Sequence, residues 1–219
     1  MERKDLLAKI DYTNVQSYHV TDADCEALVL KARLYGVDTV VLGPSSLPVC
    51  LPHLRDGGVR LAVTAAYPSG AYSPESKAEE IRELAERYPE IDEFYVVMAV
   101  GLFLGGELDA VRRELAAVME AAAGRTVKLV TELGTLSEAQ MASLCDLAAE
   151  AGAPWIVTST GFTAYDAPLP TPGQVAALCR AAAGRVRVVA CGTVKTAAEA
   201  DVYLAAGAER VCTACDIWM

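Results

Sequence analysis

The chain reads as an α/β protein folded into a single closed (β/α)8 barrel of the TIM type. Three features predict it. Short apolar, β-branched runs alternate with longer segments of helical period, hydroxyl caps recur where helices begin, and glycines recur where they end. The strand runs are apolar on both faces, as suits a parallel sheet buried beneath helices. A doubly wound open sheet is the alternative that the same alternation allows.

The first strand falls near Ile10–Thr13, Thr21 with Asp24 has the spacing of a capping box, and Gly36 ends the helix so begun. Thr39–Leu42 and Val59–Ala66 are the second and third strands, and a loop rich in Gly, Pro, Ser and Tyr, Ser69–Pro74, follows. Glu93–Val100 is the fourth strand, and Gly124 precedes the fifth, Val127–Glu132. Ser137 with Gln140 opens the next helix, Gly152 closes it, and Trp155–Thr158 is the sixth strand. After the loop Thr163–Pro172, Thr171-Pro172 with Gln174 starts a helix that ends near Gly184. Val186–Cys191 is the seventh strand, Thr196 with Glu199 opens the last helix, and Gly207 leads into the eighth strand, Arg210–Thr213. The junctions at Gly152, Gly184 and Gly207 look like copies of one unit. In such a barrel the active site belongs at the carboxyl ends of the strands, so the two long loops should rim its mouth.

With 219 residues, 53% of them hydrophobic, the chain can fill one core, and residues 1–219 are expected to form one domain. No apolar run approaches the ~20 residues that a bilayer crossing needs, and Met1–Lys4 is charged, so a cytoplasmic location is expected. Seven cysteines, an odd number in a chain of this length, suit reduced thiols better than a disulfide framework. A formal charge of −10 repels polyphosphate, so no nucleic acid and no membrane is expected as a partner, only a small-molecule substrate.

Five mouth segments carry a resemblance. Ile10-Asp11-Tyr12-Thr13 is similar to Ile-Asp-His-Thr, Tyr67-Pro68-Ser69-Gly70 to Phe-Pro-x-Gly, and Lys128 to Glu132 to Lys-x-x-x-Glu. Val157-Thr158-Ser159-Thr160-Gly161-Phe162 is similar to Lys-Thr-Ser-Thr-Gly-Phe, and Gly192-Thr193-Val194-Lys195-Thr196 to Gly-Gly-Ile-Arg-Thr. In this order, from about Leu6 to Cys215, the chain resembles the deoxyribose-phosphate aldolases, which implies a class I aldolase-like barrel.

The resemblance breaks where that family's chemistry lies. Its members form a Schiff base on a lysine of the sixth strand, helped by a lysine of the seventh and an aspartate of the fourth. The matching positions here are Val157, Val189 and Tyr95. An imine needs a primary amine, and valine has none. The phosphate grip differs too: Thr193 replaces a glycine, and Cys212-Thr213-Ala214-Cys215, followed by Asp216, stands where the family has Gly-x-Ser-Ser. A carboxylate there opposes a phosphate, so an unphosphorylated substrate is expected, an amine being one option.

Asp11, Tyr95 and Glu132 are the candidate catalytic residues. Asp11 and Thr13 match residues that line the family's substrate pocket; the alternative for Asp11 is bonding between strand ends. Glu132 is expected to end the fifth strand on the face shared by Lys128 and Val130, as an acid or base. Lys128, roughly 13 Å deeper at ~3.3 Å per residue, better fits a structural charge network. The Tyr95 phenol can donate to a carbonyl or enolate oxygen, and Tyr12, Tyr67, Tyr72 and Tyr165 are further rim candidates, with ordinary half-buried tyrosine as the alternative. The expected substrate-binding set is Thr13, Tyr67, Val157, Thr158, Thr160, Val189, Cys191 and Asp216.

Cys191, Cys212 and Cys215 fall near two strand ends, but structural zinc wants a fourth Cys or His, and His19 and His53 are not placed to supply it. Buried free thiols fit better, and no metal or cofactor is expected. Lys195 is the amine expected near the mouth, a poor nucleophile while solvated and protonated. The sequence stops at Met219 without the family's usual last helix, so a homodimer contact is expected to cover the eighth strand. Two functions follow: a repurposed enzyme working by acid–base and oxyanion chemistry on a small carbonyl compound, or a non-catalytic ligand-binding or protein-binding member. An aldolase using a relocated lysine, Lys195 or Lys128, is a third. An open pocket lined by Tyr95, Asp11 and Thr158 favours the first, and one filled by Trp155, Phe162 or Trp218 the second.

Overall fold

Eight parallel strands close on themselves in chain order: β1 (Ile10–Thr13), β2 (Thr39–Leu42), β3 (Arg60–Ala65), β4 (Glu93–Val97), β5 (Thr126–Val130), β6 (Trp155–Val157), β7 (Arg187–Cys191) and β8 (Arg210–Thr213), the last pairing back to β1. This computed structural model describes residues 1–55, 57–162, 168–192 and 194–219. Around the barrel run α1 (Arg3–Leu7), α2 (Asp22–Tyr35), α3 (Leu47–Cys50), α4 (Pro74–Arg87), α5 (Val100–Leu104), α6 (Leu108–Ala121), α7 (Glu138–Ala151), α8 (Pro172–Ala182) and α9 (Ala197–Ala205).

The helices begin where the sequence places their caps. Thr21/Asp24, Ser137/Gln140, Thr171/Gln174 and Thr196/Glu199 each form a reciprocal capping box, which satisfies amides that have no partner inside the helix. Gly36 and Gly152 end α2 and α7 at φ 74° and 79°, a backbone state that costs glycine nothing.

Strand alternation sorts side chains into two cores. Outward residues such as Ile10, Val40, Phe94 and Leu129 pack with the helices. Inward ones, among them Val41, Ala62, Tyr95, Val130, Val157 and Val189, form a separate cluster inside the barrel. Register sets Val157 between Val130 and Val189, and Tyr95 between Thr64 and Lys128.

β3, β6 and β7 lose a residue at one or both ends, and two strands stop well short of expectation. β4 stops at Val97, and Val100 already begins α5. β5 stops at Val130, because Glu132 turns to φ 47° and leaves extended geometry. Glu132 therefore does not share the inward face of Lys128 and Val130, a correction to the position read from period-two counting.

The tail also departs from expectation. Trp218 sets its ring edge-on to Tyr12 at 4.9 Å and lies 6.0 Å from Tyr35, and both Ile217 and Trp218 are buried. The tail thus covers the outer side of β1 from within the chain. Among the described residues, no helix is long and apolar enough to cross a membrane.

Candidate functional site

The barrel interior rests on a charge network. Both oxygens of the fully buried Asp11 are engaged. Oδ1 accepts from Arg210 Nη2 at 2.6 Å and Nε at 2.9 Å, while Oδ2 accepts from Lys128 Nζ at 2.8 Å and from the Tyr95 hydroxyl. Lys128 Nζ also meets Glu93 Oε2 at 2.6 Å, Arg60 meets Glu93 at 3.2 Å, and Arg210 meets Asp38 at 2.6 Å. Burial alone would raise the Asp11 carboxyl, but the Lys128 and Arg210 charges hold it below the usual carboxylate range. Burial, with Asp11 next to it, pushes the Tyr95 phenol well above its ordinary value. Asp11 and Tyr95 come together as expected, yet the phenolic proton is committed to Asp11 and the carboxylate has no lone pair facing open space. Lys128 belongs to this network, lying 5.2 Å from the Tyr95 ring centroid and 5.5 Å from that of Trp155.

Above the network the interior is apolar. Val157 and Val189 are fully buried register partners, with Val130, Ala62 and Cys212 in the same cluster. The mouth over them is closed by two side chains. The Tyr67 hydroxyl donates to the Thr160 carbonyl at 2.5 Å, and the Tyr67 ring packs edge-on to Phe162, which packs on Tyr18. Gln16 Nε2 donates to Cys191 Sγ at 3.3 Å and lies so close over Gly161 that a Cβ there would meet its amide at 2.7 Å. The hollow left between Gln16, Tyr67, Tyr95 and Val130 is ≈ 10 Å³, room for about one water. Phe162 backs this closure, whereas Trp155 lies deeper in the barrel between Lys128 and Arg187, and Trp218 lies outside it.

The other candidates hold strand ends and loops. Thr13 Oγ1 donates to the Val41 carbonyl at 2.9 Å and accepts from the Val15 amide. Thr158 Oγ1 donates to the Cys191 carbonyl at 3.1 Å and accepts from the Cys191 amide at 2.9 Å, fastening β6 to β7. Thr158→Val leaves both buried backbone groups unpaired, so it is expected to cost about 1–3 kcal/mol in urea unfolding with the barrel otherwise unchanged. Thr160 lines the small hollow and gives its amide to Glu132 Oε1 at 2.7 Å, and the other Glu132 oxygen accepts from Ser159. Glu132 is thus the anchor of the turn after β6.

Asp216 is placed differently from expectation. Its carboxylate accepts from Tyr12 at 2.5 Å and from Lys31 Nζ at 2.6 Å, so its charge is paired on the outer side of β1. Burial raises its pKa and the bonds from Lys31 and Tyr12 lower it, with the net result below the usual carboxylate range. Tyr12 accordingly faces the helices and not the rim, and Tyr72 is exposed. Cys191 and Cys212 are register partners inside the barrel; the hydrogen bond that the Cys212 thiol gives to Cys191, with burial, raises that thiol and keeps it unreactive. Cys215 packs against the outer core instead. Among the described residues no three His, Cys, Asp or Glu side chains converge as a metal would need. Lys195 is exposed, and the expected positions Tyr165 and Thr193 lie outside the described residues.

Arg210, Glu93 and Gln16 were not among the sequence candidates. The first two carried a signal, being charged residues on otherwise apolar strands. Gln16 carried none. Beside the closed mouth, the loops after β1, β2 and β3 enclose a second hollow of ≈ 270 Å³, lined by Asn14, Ser45, Thr64, Tyr67 and Glu80 among others.

No protein-family model matches the chain. The deoxyribose-phosphate aldolase of Mycobacterium ulcerans is 36% identical over 214 residues, covering 95% of this chain and 91% of that protein. The enzyme of the same name from Mycolicibacterium paratuberculosis is 37% identical over 218 residues, covering 95% and 92%. Among solved structures, deoxyribose phosphate aldolase from Aeropyrum pernix, described as tetrameric, superposes with a TM-score of 0.89 at 26% identity, covering 99% of this chain and 91% of that one. A putative deoxyribose-phosphate aldolase from Coccidioides immitis gives 0.90 at 24% identity, over 98% and 83%, a likeness of fold. With relatives of this identity matched along nearly their whole length, the chain belongs to the deoxyribose-phosphate aldolase family.

Proposed function

We propose that this chain has left the Schiff-base aldol reaction and works as a small-molecule-binding barrel on the aldolase scaffold. The observation that carries this is the central layer: Val157 and Val189 sit side by side, fully buried, at the positions that match the family's two lysines. Neither side chain can attack a carbonyl. Lys128 is held between Asp11 and Glu93 beside the Tyr95 ring, and an amine so ion-paired is not free to attack a carbonyl. The polar groups that acid–base chemistry would call on are engaged within the protein, and the space above them holds about one water.

Borohydride reduction in the presence of 2-deoxyribose 5-phosphate or acetaldehyde, read by intact mass, is expected to leave the chain unmodified. A stoichiometric adduct mapped to Lys128 or Lys195 would overturn the reading.

A second reading, a repurposed enzyme acting on a small carbonyl compound, draws support from one feature. Ala66 and Glu132 both adopt positive φ, 53° and 47°, at the ends of β3 and β5 facing the mouth, and such strain gathers at functional sites. On that reading Glu132→Gln abolishes turnover while leaving the fold intact.

A further inference from the structure

We propose that the hollow beside the closed mouth is the ligand site of this protein, and that it takes a small hydroxyl-bearing primary amine. The proposal rests on the reading that the barrel centre forms no Schiff base.

The hollow of ≈ 270 Å³ is far larger than the ≈ 10 Å³ at the barrel axis, which holds about one water. Val15, Thr64 and Tyr67 line both spaces, so the larger one adjoins the place where an aldolase barrel does its chemistry. Its walls carry hydrogen-bonding capacity that the protein itself leaves unused. The Thr64 side chain is only 3% exposed, and its hydroxyl, which opens on the hollow, makes no hydrogen bond to the described residues. A hydroxyl so placed can bond a guest in place of water. Ser45 is exposed at the rim with no hydrogen bond among the described residues, and the Asn14 amide has only long contacts with the Cys25 sulfur, at 3.6 and 3.8 Å. These groups suit hydroxyls on a ligand.

The charge of the walls sets the rest of the ligand's chemistry. Glu80 is the one ionisable acid in the lining, and no lysine, arginine or histidine joins it. Its Oε2 accepts from the Ala66 amide at 2.9 Å, which leaves Oε1 for a guest. Lys77, one turn before it on α4, is turned away onto Glu114 at 2.7 Å and the Val97 carbonyl at 2.8 Å. A carboxylate at the edge of a half-open hollow favours a cation over a phosphate. An ammonium on Glu80 with hydroxyls on Thr64, Ser45 and Asn14 satisfies the whole wall.

The test uses the intact chain, ¹⁵N-labelled, titrated separately with 2-amino-1,3-propanediol, glycerol and 2-deoxyribose 5-phosphate. Saturable shifts at the amides of Asn14, Ser45, Ser46 and Ala66 are expected with the amino diol, with glycerol at least about tenfold weaker, as loss of a charge-assisted contact implies. Glu80→Gln keeps an acceptor for the Ala66 amide and is expected to bring the amino diol down to the glycerol level; Thr64→Val, nearly the same shape, weakens both. Equal affinity for the diol and the triol, indifference to Glu80→Gln, or tighter binding of the phosphate would each overturn the assignment. The reading it rests on fails by a different observation, a borohydride-trapped adduct, so the two failures are told apart.

Discussion

Lys128→Met is expected to lower stability by about 3–5 kcal/mol in urea unfolding, the cost of leaving buried carboxylates without their cation. Lys128 is the one ammonium that touches both Asp11, at 2.8 Å, and Glu93, at 2.6 Å, and all three side chains are almost wholly buried. Removing it strips Glu93 of its closest partner and leaves Asp11 to Arg210 and Tyr95. Methionine fills nearly the same volume, so the loss reads charge and not a cavity. A cost under about 1 kcal/mol would mean that the network is wet or rearranges freely, and the description of the interior would fall with it.

Val157→Lys carries the second large effect. It places a primary amine at the position that the sequence resemblance matches to the family's lysine, but opposite Val130 and Val189, in a layer without the partners that an ammonium requires. A fully buried lysine has its pKa lowered by up to about 3–5 pH units, which at pH 7, where an amine so depressed begins to give up its proton, corresponds to roughly 4–5 kcal/mol of lost stability. The sign of the pH dependence follows. The folded variant binds fewer protons than the unfolded chain between the depressed value and about 10.4, so its stability rises with pH through that window, opposite to a solvated lysine pair. Urea melts at pH 6, 8 and 10 check this, and cleavage of 2-deoxyribose 5-phosphate is expected to stay absent. A variant as stable as the parent at pH 7, or one that cleaves the sugar phosphate, would refute the dry, partnerless layer described above.

The barrel is legible in the sequence because its signals are local. A capping box needs only two residues three apart, and Thr21, Ser137, Thr171 and Thr196 all form theirs. Strand runs such as Ile10–Thr13, Thr39–Leu42 and Arg210–Thr213 keep their bounds. The site is less legible, since alternation tells which face a residue takes only while the strand stays extended. Glu132 misleads for that reason: one positive φ turns its carboxylate onto the β6 turn. Asp216 misleads because its partners Tyr12 and Lys31 are more than 180 residues away, and no spacing rule reaches them. Gln16 is silent in the same way, its role being set by Gly161 and Cys191 across the barrel.

One aromatic ring, Tyr67, stands as the party wall between the cramped axial space and the roomy lateral one, and its hydroxyl is latched to the opposite loop at Thr160. The division between the two chambers is therefore made by side chains, Tyr67 with Val15 and Thr64. Trimming Tyr67 to alanine joins two rooms into one without moving a strand, and puts the valine-lined floor within reach of whatever the side room admits.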